Sequence, residues 1–465
     1  MAKPIKLLQP VESCPWCGAD DRTAWGTCRA CGRYYLPEGW EREPRKRRSL
    51  WWLAAGLGVV ALVGAWIIFP FLPGPRILVL KRPTTPLTSD SPANQWTMQG
   101  LNLAQNRYVA APPRHVVGRL AWSVDLGTPT RSAPVIVDNI IYIGGDFRVL
   151  ALDAHTGRRL QEIPTTGPVD TSMAVAGDTL YFGLQDWRVL ALDRRTGQSR
   201  WTFDTQNPIV GSAAVAKGIL YIGSSDGVLY ALDAATGRLI WRFTTEGYPL
   251  SPPAIAEGTL FVSSTAGLLY ALHARTGQLR LRFYVPERLQ DVPVVANGLV
   301  YFPSGGQLYA VDASAREYPG QRQFNLTWAQ FWWWQVPGVP RPPVQPGGRW
   351  RFSHRNRPRA ILSAPAVARE TLYVGDLNGY LYARDARQAT DLWQFKAEGG
   401  VRTSPLILGS RVYFGTDAGV LYALDRTQGT LLWQHDLGAP IETAPVFASG
   451  RLYLRTSNGR LHAIE

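Results

Sequence analysis

The stretch Asn207–Phe243, NPIVGSAAVAKGILYIGSSDGVLYALDAATGRLIWRF, predicts four short β-strands joined by tight turns. The strands are expected at Ser212–Ala216, Ile219–Gly223, Val228–Leu232 and Leu239–Phe243. Each turn contains a glycine, which supplies a positive φ at little steric cost: Gly218, Gly227 and Gly237. A four-stranded meander of this size cannot bury both of its faces alone, so further copies are expected along the chain.

The aromatic residue of the second strand recurs through the sequence. Its positions are Tyr142, Tyr181, Tyr221, Phe261, Tyr301, Tyr373, Tyr413 and Tyr453. The steps are 39, 40, 40, 40, 72, 40 and 40 residues, which indicates eight copies with one insertion in the fifth. Apolar residues flank each aromatic, as in a strand buried on both faces. The sequence therefore predicts an all-β fold, an eight-bladed β-propeller of four-stranded antiparallel blades over 96–465, with the insertion at about 315–350 in blade 5.

The two ends of the repeat region supply complementary fragments of one blade. Residues 116–126, VVGRLAWSVDL, resemble a fourth strand without its first three, and the last repeat, 440–465, contains three strands and then stops. We expect the N-terminal strand to complete the eighth sheet. This closure removes the open edges between the first and last blades.

All four cysteines lie near the N-terminus in two C-x-x-C pairs. Each pair places two thiolates on one tight turn, and two such turns form the tetrahedral sulfur site typical of Zn²⁺. Residues 1–45 are therefore predicted to be a cytoplasmic zinc ribbon with the ligands Cys14, Cys17, Cys28 and Cys31. Iron in place of zinc and a redox dithiol are the alternatives. The ribbon is either a small structural domain or a docking module for a cytosolic partner.

An uncharged apolar segment, 50–72, follows the ribbon and is long enough to cross a hydrocarbon core of about 30 Å as a helix. The basic cluster Arg45–Arg48 before it favours a cytoplasmic N-terminus. A cleaved signal peptide is disfavoured, because nearly 50 residues precede the segment. Residues 73–95, rich in Pro, Thr and Ser, are predicted to be a flexible tether. The expected location is the cell membrane, with a single span and the propeller outside the cytoplasm.

The net charge of +14 is concentrated outside the repeats. Residues 131–313 carry −1 and residues 360–465 carry 0, whereas the segment 314–359 carries +7. A nucleic-acid-binding protein would need a basic stripe on the folded domain itself. No nucleic-acid partner is therefore expected.

The segment from Ala231 to Trp241, ALDAATGRLIW, resembles the tryptophan-docking repeat of the propellers related to pyrroloquinoline quinone (PQQ) enzymes. The motif recurs at 191–201 and, with changes, at 383–393 and 423–433, while Gly118–Trp122 supplies its tail. The resemblance covers roughly 96–465. It implies that structural tryptophans dock on the neighbouring blade, namely Trp122, Trp201, Trp241, Trp393 and Trp433. Gln161 and Leu281 replace tryptophan, His273 replaces the aspartate, and the motif is disrupted after Asp312.

The resembled family contains both enzymes and scaffolds. Its quinoprotein dehydrogenases use PQQ and Ca²⁺ on the propeller axis, and it also includes the non-catalytic propeller lipoprotein of the outer-membrane β-barrel assembly machine. This propeller sequence has no cysteine and no evident calcium-ligand cluster, so PQQ is not expected. The prediction is a non-catalytic, membrane-anchored propeller that presents a surface to a protein or small ligand. The alternatives are a PQQ-dependent dehydrogenase and an extracytoplasmic sensor domain linked to the ribbon.

One candidate site is the funnel mouth. The residue before each first strand should face it, and the polar members are Arg131, Asp170, Gln290, Arg402 and Glu442. In ring order, blades 7, 8, 1 and 2 present charges of alternating sign, whereas blades 3 to 6 present mostly apolar groups. Two interpretations remain: a ring of salt bridges that closes the channel, or a half-polar pocket for a peptide or small ligand.

The second candidate site is the insertion of blade 5, which holds four consecutive aromatic residues: Phe331, Trp332, Trp333 and Trp334. Several arginines follow within 349–359. Loops that extend this far from a rigid scaffold are often functional, and such aromatics could contact a partner protein, a glycan or a membrane surface. The alternative is that the rings fold back onto their own propeller.

Overall fold

The computed structural model describes residues 95–353 and 363–465, apart from 111, 113–114, 128–129, 250, 290, 319 and 343, together with residues 17, 18, 30 and 58. The described residues form eight sheets in chain order, one per repeat, which confirms the eight-bladed propeller. Within each blade, successive strands pair antiparallel with their sequence neighbours.

Two strands precede the first repeat: β1 (Tyr108–Val109) and β2 (Leu120–Asp125). Blade 1 contains β3 (Val135–Val137), β4 (Ile140–Gly145), β5 (Arg148–Asp153) and β6 (Arg159–Pro164). Blade 2 contains β7 (Ala174–Ala176), β8 (Thr179–Gly183), β9 (Arg188–Asp193) and β10 (Ser199–Asp204). Blade 3 contains β11 (Ala214–Ala216), β12 (Ile219–Gly223), β13 (Val228–Asp233) and β14 (Leu239–Thr244). Blade 4 contains β15 (Ala254–Ala256), β16 (Thr259–Ser264), β17 (Leu268–His273) and β18 (Leu279–Tyr284).

Blade 5 contains β19 (Val294–Ala296), β20 (Leu299–Ser304), β21 (Gln307–Asp312), the helix α1 (Gln321–Trp333) and β22 (Gly348–Phe352). Blade 6 contains β23 (Ala366–Ala368), β24 (Thr371–Gly375), β25 (Tyr380–Asp385) and β26 (Asp391–Lys396). Blade 7 contains β27 (Leu406–Leu408), β28 (Arg411–Gly415), β29 (Val420–Asp425) and β30 (Leu431–Asp436). Blade 8 contains β31 (Val446–Ala448), β32 (Arg451–Arg455) and β33 (Arg460–Ile464).

Burial falls from the axis of the propeller to its rim. First strands of adjacent blades contact one another, as β3 contacts β7 and β7 contacts β11, so they lie around the axis. The first two strands of blade 3 are buried throughout, whereas fourth strands such as β30 alternate between exposed and half-buried residues. The apolar flanks of each second-strand aromatic therefore face both neighbouring blades, as sheets stacked radially require.

A tyrosine and a tryptophan of one blade share a carbonyl of the next blade. In blade 2, the Tyr181 hydroxyl and the Trp201 indole N–H both donate to the carbonyl oxygen of Ala234 in blade 3, at 2.9 and 3.0 Å. The Trp201 ring also lies against Gly237, where an added Cβ would come within 2.7 Å of it. Glycine is thus required at this position both for its φ of +74° and for the close approach of the ring.

The N-terminal strand closes the ring, as the sequence predicts. The strand β2 pairs antiparallel with β33 and forms the outer edge of blade 8. The opposition of Trp122 to Ala463 repeats the Trp201–Ala191 pairing of blade 2. The carbonyl oxygen of Glu465 accepts hydrogen bonds from the amides of residues 117, 118 and 119, so the end of the chain is tied to the start of this strand.

Residues 96–109, here called the axial segment, run from blade to blade around the axis. The central residue of the first strand donates its amide to this segment in six blades; the pairs are Ile136–Trp96, Val175–Thr97, Ile255–Leu103, Val295–Ala104, Val367–Asn106 and Ile407–Arg107. β1 ends the path by pairing in parallel with β27 of blade 7. The repeat pattern does not predict this path, because the segment has no counterpart within a blade.

The predicted N-terminal elements lie outside the described residues. This applies to Cys14, Cys28 and Cys31 of the ribbon, and to the apolar segment 50–72 except for Gly58. In the part of the chain that the structure describes, no helix is long and apolar enough to cross a membrane. The zinc ribbon, the membrane span and the tether therefore stay predictions from the sequence.

Candidate functional site

Residues that precede the first strands meet at the funnel. Arg131, Asp170, Val210, Arg402 and Glu442 all line an axial cavity of about 290 Å³. A wider cavity of about 700 Å³ shares Arg131, Asp170 and Glu442 with it, so the two adjoin. Gln290, together with Leu250 and Leu362, lies outside the described residues. The structure thus brings together four of the five polar residues named from the sequence.

The alternating charges do not pair around the ring. Arg402 Nε lies 3.3 Å from Asp417 of its own blade, and Glu442 pairs at 2.5 Å with Arg455 of its own blade. Asp170 accepts a hydrogen bond at 3.4 Å from Gln185, also within its blade. Among the described residues, no ion pair joins two members of the ring. The prediction of a closed ring of salt bridges is therefore wrong. Arg402 and Glu442 instead pair with residues 15 and 13 positions later in their own blades.

Two charged residues that were not identified from the sequence line the axial cavity: Arg107, which is buried, and Asp291, which is half-buried. Arg107 belongs to the axial segment and is only 4% exposed. Burial lowers the pKa of Arg107 to about 10, and the charge of Asp291 opposes this shift. Burial raises the pKa of Asp291 to about 6, against the effects of Arg107 and of the Val292 amide. Arg107 has no equivalent in the repeats, so the repeat pattern could not identify it. Asp291 could have been identified from the sequence, because the other blades have a hydroxyl residue or glycine at its position.

The insertion of blade 5 forms a helix that stands away from the propeller core. None of the thirteen residues of α1 is buried. The Trp333 side chain is 78% exposed, and Phe331, Trp332 and Trp334 are exposed as well. The alternative in which these rings fold back onto the propeller is therefore wrong for these four residues. The rings instead pack locally, as the T-shaped pairs Phe324–Trp328 and Phe331–Trp334 show.

A surface cavity of about 540 Å³ lies beside α1. Its lining consists of Trp332, Trp333, Gln335, Val336 and Val339, all from the insertion itself. The chain returns alongside the helix, and the Trp328 indole N–H donates to the carbonyl oxygen of Pro340 at 2.9 Å. The insertion is therefore a helix and an irregular return segment with an open aromatic groove, called here the aromatic face (Phe331–Trp334, Val336 and Val339).

Polar contacts hold both ends of the insertion on β18 of blade 4. The Arg282 guanidinium contacts the nearly buried Glu317 carboxylate through two hydrogen bonds, at 2.8 and 3.1 Å. The side-chain amide of Gln345 pairs with both backbone groups of Tyr284, at 2.7 and 2.8 Å. Arg322, at the start of α1, forms an ion pair with Glu246. These contacts fix the base of the insertion on a rigid blade.

The insertion ends earlier than the sequence analysis places it. Trp350 lies in β22, the fourth strand of blade 5, and opposes Ala310 as the other docking tryptophans oppose their alanines. Its indole N–H donates to the carbonyl oxygen of Ala386 in blade 6 at 3.2 Å. Gly348–Phe352, GRWRF, matches the LIWRF ending of blade 3, a signal that could have identified it. The interval between β21 and β22 is thus residues 313–347.

The tryptophans predicted to dock all contact the following blade. Trp122, Trp241, Trp393 and Trp433 donate their indole N–H groups to the carbonyl oxygens of Ala154, Ala274, Arg426 and Val116 respectively. Where Gln161 replaces tryptophan in blade 1, its side chain lies beside Gly197 of blade 2. These side chains belong to the seams between blades.

The carboxylates of the described funnel do not form a calcium site. Calcium requires six to eight oxygen ligands around one point, whereas Asp170, Asp291 and Glu442 each face a different partner. Among the described residues, no group of three or more His, Cys, Asp or Glu side chains could hold a metal ion. This donor set does not fit a calcium-dependent quinone cofactor.

Comparisons with known proteins agree with the propeller fold. The family model described as outer membrane protein assembly factor BamB matches residues 115–208, 186–264, 225–318 and 345–465. No curated protein sequence matches the chain. BamB from Moraxella catarrhalis aligns with a TM-score of 0.57 at 16% identity, over 75% of this chain and 100% of that one.

Two further solved structures show how widely this architecture occurs. Quinohemoprotein alcohol dehydrogenase from Comamonas testosteroni aligns with a TM-score of 0.63 at 15% identity, over 81% of each chain. The computationally designed Ika8 protein aligns with a TM-score of 0.61 at 15% identity, over 75% of this chain and 99% of that one. Since an assembly factor, an alcohol dehydrogenase and a designed protein share the fold, these likenesses establish the architecture and leave the function to the site.

Proposed function

We propose that this chain, which belongs to the family of the outer membrane protein assembly factor BamB, is a non-catalytic binding scaffold of the cell envelope. Its apolar segment 50–72 anchors it in the cell membrane, its zinc ribbon (Cys14, Cys17, Cys28 and Cys31) lies in the cytoplasm, and its propeller lies outside. The aromatic face of the insertion binds a protein partner. The family and the exposed helix support this proposal.

The single observation that carries the proposal is the exposure of four consecutive aromatic side chains, Phe331–Trp334, at the C-terminal end of α1. Large aromatic residues and arginine are enriched at the energetic centres of protein interfaces. Soluble monomers rarely expose contiguous apolar patches of this kind without a function. The contacts of Glu317 and Gln345 with β18 fix the base of the insertion, which lowers the ordering cost of binding.

Crosslinking and pull-down from native membranes test this function with the triple variant Phe331→Ser, Trp333→Ser, Trp334→Ser. Truncating a central aromatic anchor costs about 2 kcal/mol or more, so we expect the yield of specifically crosslinked partner to fall more than tenfold. Trp187→Ser is the matched control, because Trp187 is 52% exposed on another blade. Partners and yields that are the same for the triple variant and the control would overturn the proposal.

The alternative of a PQQ-dependent dehydrogenase makes a different prediction. Absorbance and calorimetric titration of the full-length protein with PQQ and Ca²⁺ separates the two. Saturable binding at one equivalent, with alcohol-dependent dye reduction, would show that the protein is a PQQ-dependent dehydrogenase and would contradict the scaffold function. If the protein is a scaffold, we expect neither PQQ binding nor dye reduction. We also expect the triple variant and the unaltered protein to give the same result in this titration.

A further inference from the structure

The position three residues before the first strand of each blade carries a repeated polar contact, and blade 5 departs from it. In six blades a hydroxyl occupies this position: Ser132, Thr171, Ser251, Ser363, Thr403 and Thr443. Each bonds to the residue twelve positions later in its own second strand. Examples are the amide of Gly375 to Ser363 at 2.8 Å and the amide of Arg455 to Thr443 at 2.8 Å. Blade 3 has a glycine at both positions, Gly211 and Gly223.

In blade 5 both partners of this contact are changed. The hydroxyl is replaced by Asp291, and the residue twelve positions later is Pro303. Proline has no backbone N–H to donate, so the blade cannot make the contact and the Asp291 carboxylate is released from it. Asp291 instead lines the axial cavity together with Arg107.

Arg107 and Asp291 lie close enough to influence one another, yet they are not paired. Each shifts the pKa of the other, but among the described residues neither forms an ion pair. The Arg107 guanidinium has no hydrogen-bond partner there although it is 4% exposed, and the Asp291 carboxylate has only the Val292 amide. A buried charge such as that of Arg107 is costly to leave without a hydrogen-bonded partner. Two opposite charges that line one cavity without an ion pair between them favour a ligand that carries both a negative and a positive group.

We propose that the axial cavity binds a small zwitterion, a free α-amino acid, whose carboxylate pairs with Arg107 and whose ammonium pairs with Asp291. The other ionised groups of the cavity are balanced: Asp170, Arg402 and Glu442 have partners within their own blades, which leaves Arg131 at the mouth. Hydroxyl groups such as those of Ser212 and Ser251 line the rest of the cavity. A volume of about 290 Å³ is large enough for one amino acid, and the hydroxyl lining favours a small or polar side chain.

Calorimetric titration of the full-length protein at pH 7.5, where Asp291 is ionised, tests this site with each of the twenty amino acids. We expect binding at one equivalent for a member with a small or polar side chain. For alanine, the matched probes are propionate, which lacks the ammonium, and ethylamine, which lacks the carboxylate. Both should bind at least tenfold more weakly than the zwitterion, because each leaves either Arg107 or Asp291 without an ion-pair partner.

Arg107→Gln and Asp291→Asn should each weaken binding of the amino acid at least tenfold. The double variant Asp291→Ser, Pro303→Gly restores the residues of the other blades, so it should unfold at the same temperature as the unaltered protein and still lose the ligand. This control separates loss of the site from loss of the fold. Three results would overturn the proposal: none of the twenty amino acids binds, propionate binds as tightly as alanine, or the double variant retains its affinity. None of these results depends on the aromatic face.

Discussion

At the scale of the residue, each seam between blades depends on a tryptophan that meets a glycine. Trp201, Trp241 and Trp393 lie against Gly237, Gly277 and Gly429, and every one of these glycines has a positive φ. A side chain at such a position would meet the face of an indole ring that is already fixed by its hydrogen bond to the next blade. The small residue and the large one therefore form one unit, and neither can be changed independently.

Replacing Gly237 by alanine should destabilise the propeller strongly. Its Cβ would lie 2.7 Å from the Trp201 ring, and the left-handed backbone costs about 1–2 kcal/mol in addition. Gly258→Ala is the matched control, because Gly258 has a φ of +70° but no atom within 4 Å of an added Cβ. We expect the denaturation midpoint in urea to fall clearly more for Gly237→Ala than for Gly258→Ala. Equal midpoints would show that the contact with tryptophan contributes nothing.

At the scale of the element, two segments modify the regular repeat: β2 completes the last blade, and α1 is inserted into blade 5. The strand β2 belongs to the last sheet although it comes first in the chain. The helix α1 interrupts the hairpin between β21 and β22 without disturbing the register on either side, since Ala310 still opposes Trp350. A rigid blade can carry a long insertion because loop closure adds only a slowly growing entropic cost.

A variant that begins at residue 127 should fail to close the propeller. It lacks β2 and the axial segment, so the outer edge of β33 is left unpaired and available to other chains. We expect a lower thermal midpoint and oligomers in size-exclusion chromatography. Adding a peptide of residues 115–127 in trans should partly restore the monomer. A variant that stays monomeric with an unchanged midpoint would contradict the importance of this closure.

At the scale of the whole molecule, the cysteines and most of the net charge lie outside the propeller repeats. The propeller repeats are close to neutral and contain no cysteine, whereas all four cysteines precede the apolar segment 50–72. A cysteine-free domain suits an oxidising compartment and clustered thiols suit a reducing one. The proposed orientation, with the ribbon in the cytoplasm and the propeller outside, agrees with this distribution.

Protease treatment of intact spheroplasts tests that orientation. We expect the propeller to be accessible to the protease and the N-terminal 45 residues to be protected, because the basic cluster 45–48 favours the cytoplasmic side. Lysed spheroplasts serve as the control in which both parts are accessible. A propeller that is protected in intact cells and cleaved only after lysis would invert the topology.

The sequence by itself determined the number of blades, the strands within each blade, the closure by the N-terminal strand and the place of the insertion. These features follow from local patterns: a period of about 40 residues, glycines at turns, and apolar flanks around one aromatic. It also placed Arg131, Asp170, Arg402 and Glu442 at one funnel, because equivalent positions of a closed repeat converge on the axis.

Only the tertiary structure decided the path of the axial segment, the placement of Arg107 and Asp291 in one cavity and the exposure of the aromatic face. The axial segment has no copy within the repeats, so no periodicity marks its contacts with six blades. Arg107 and Asp291 are separated by 184 positions in the chain, and their approach depends on the closed ring rather than on either neighbourhood. An aromatic run on a helix is equally compatible with a core and with an open surface, and only the packing of the surrounding chain distinguishes the two.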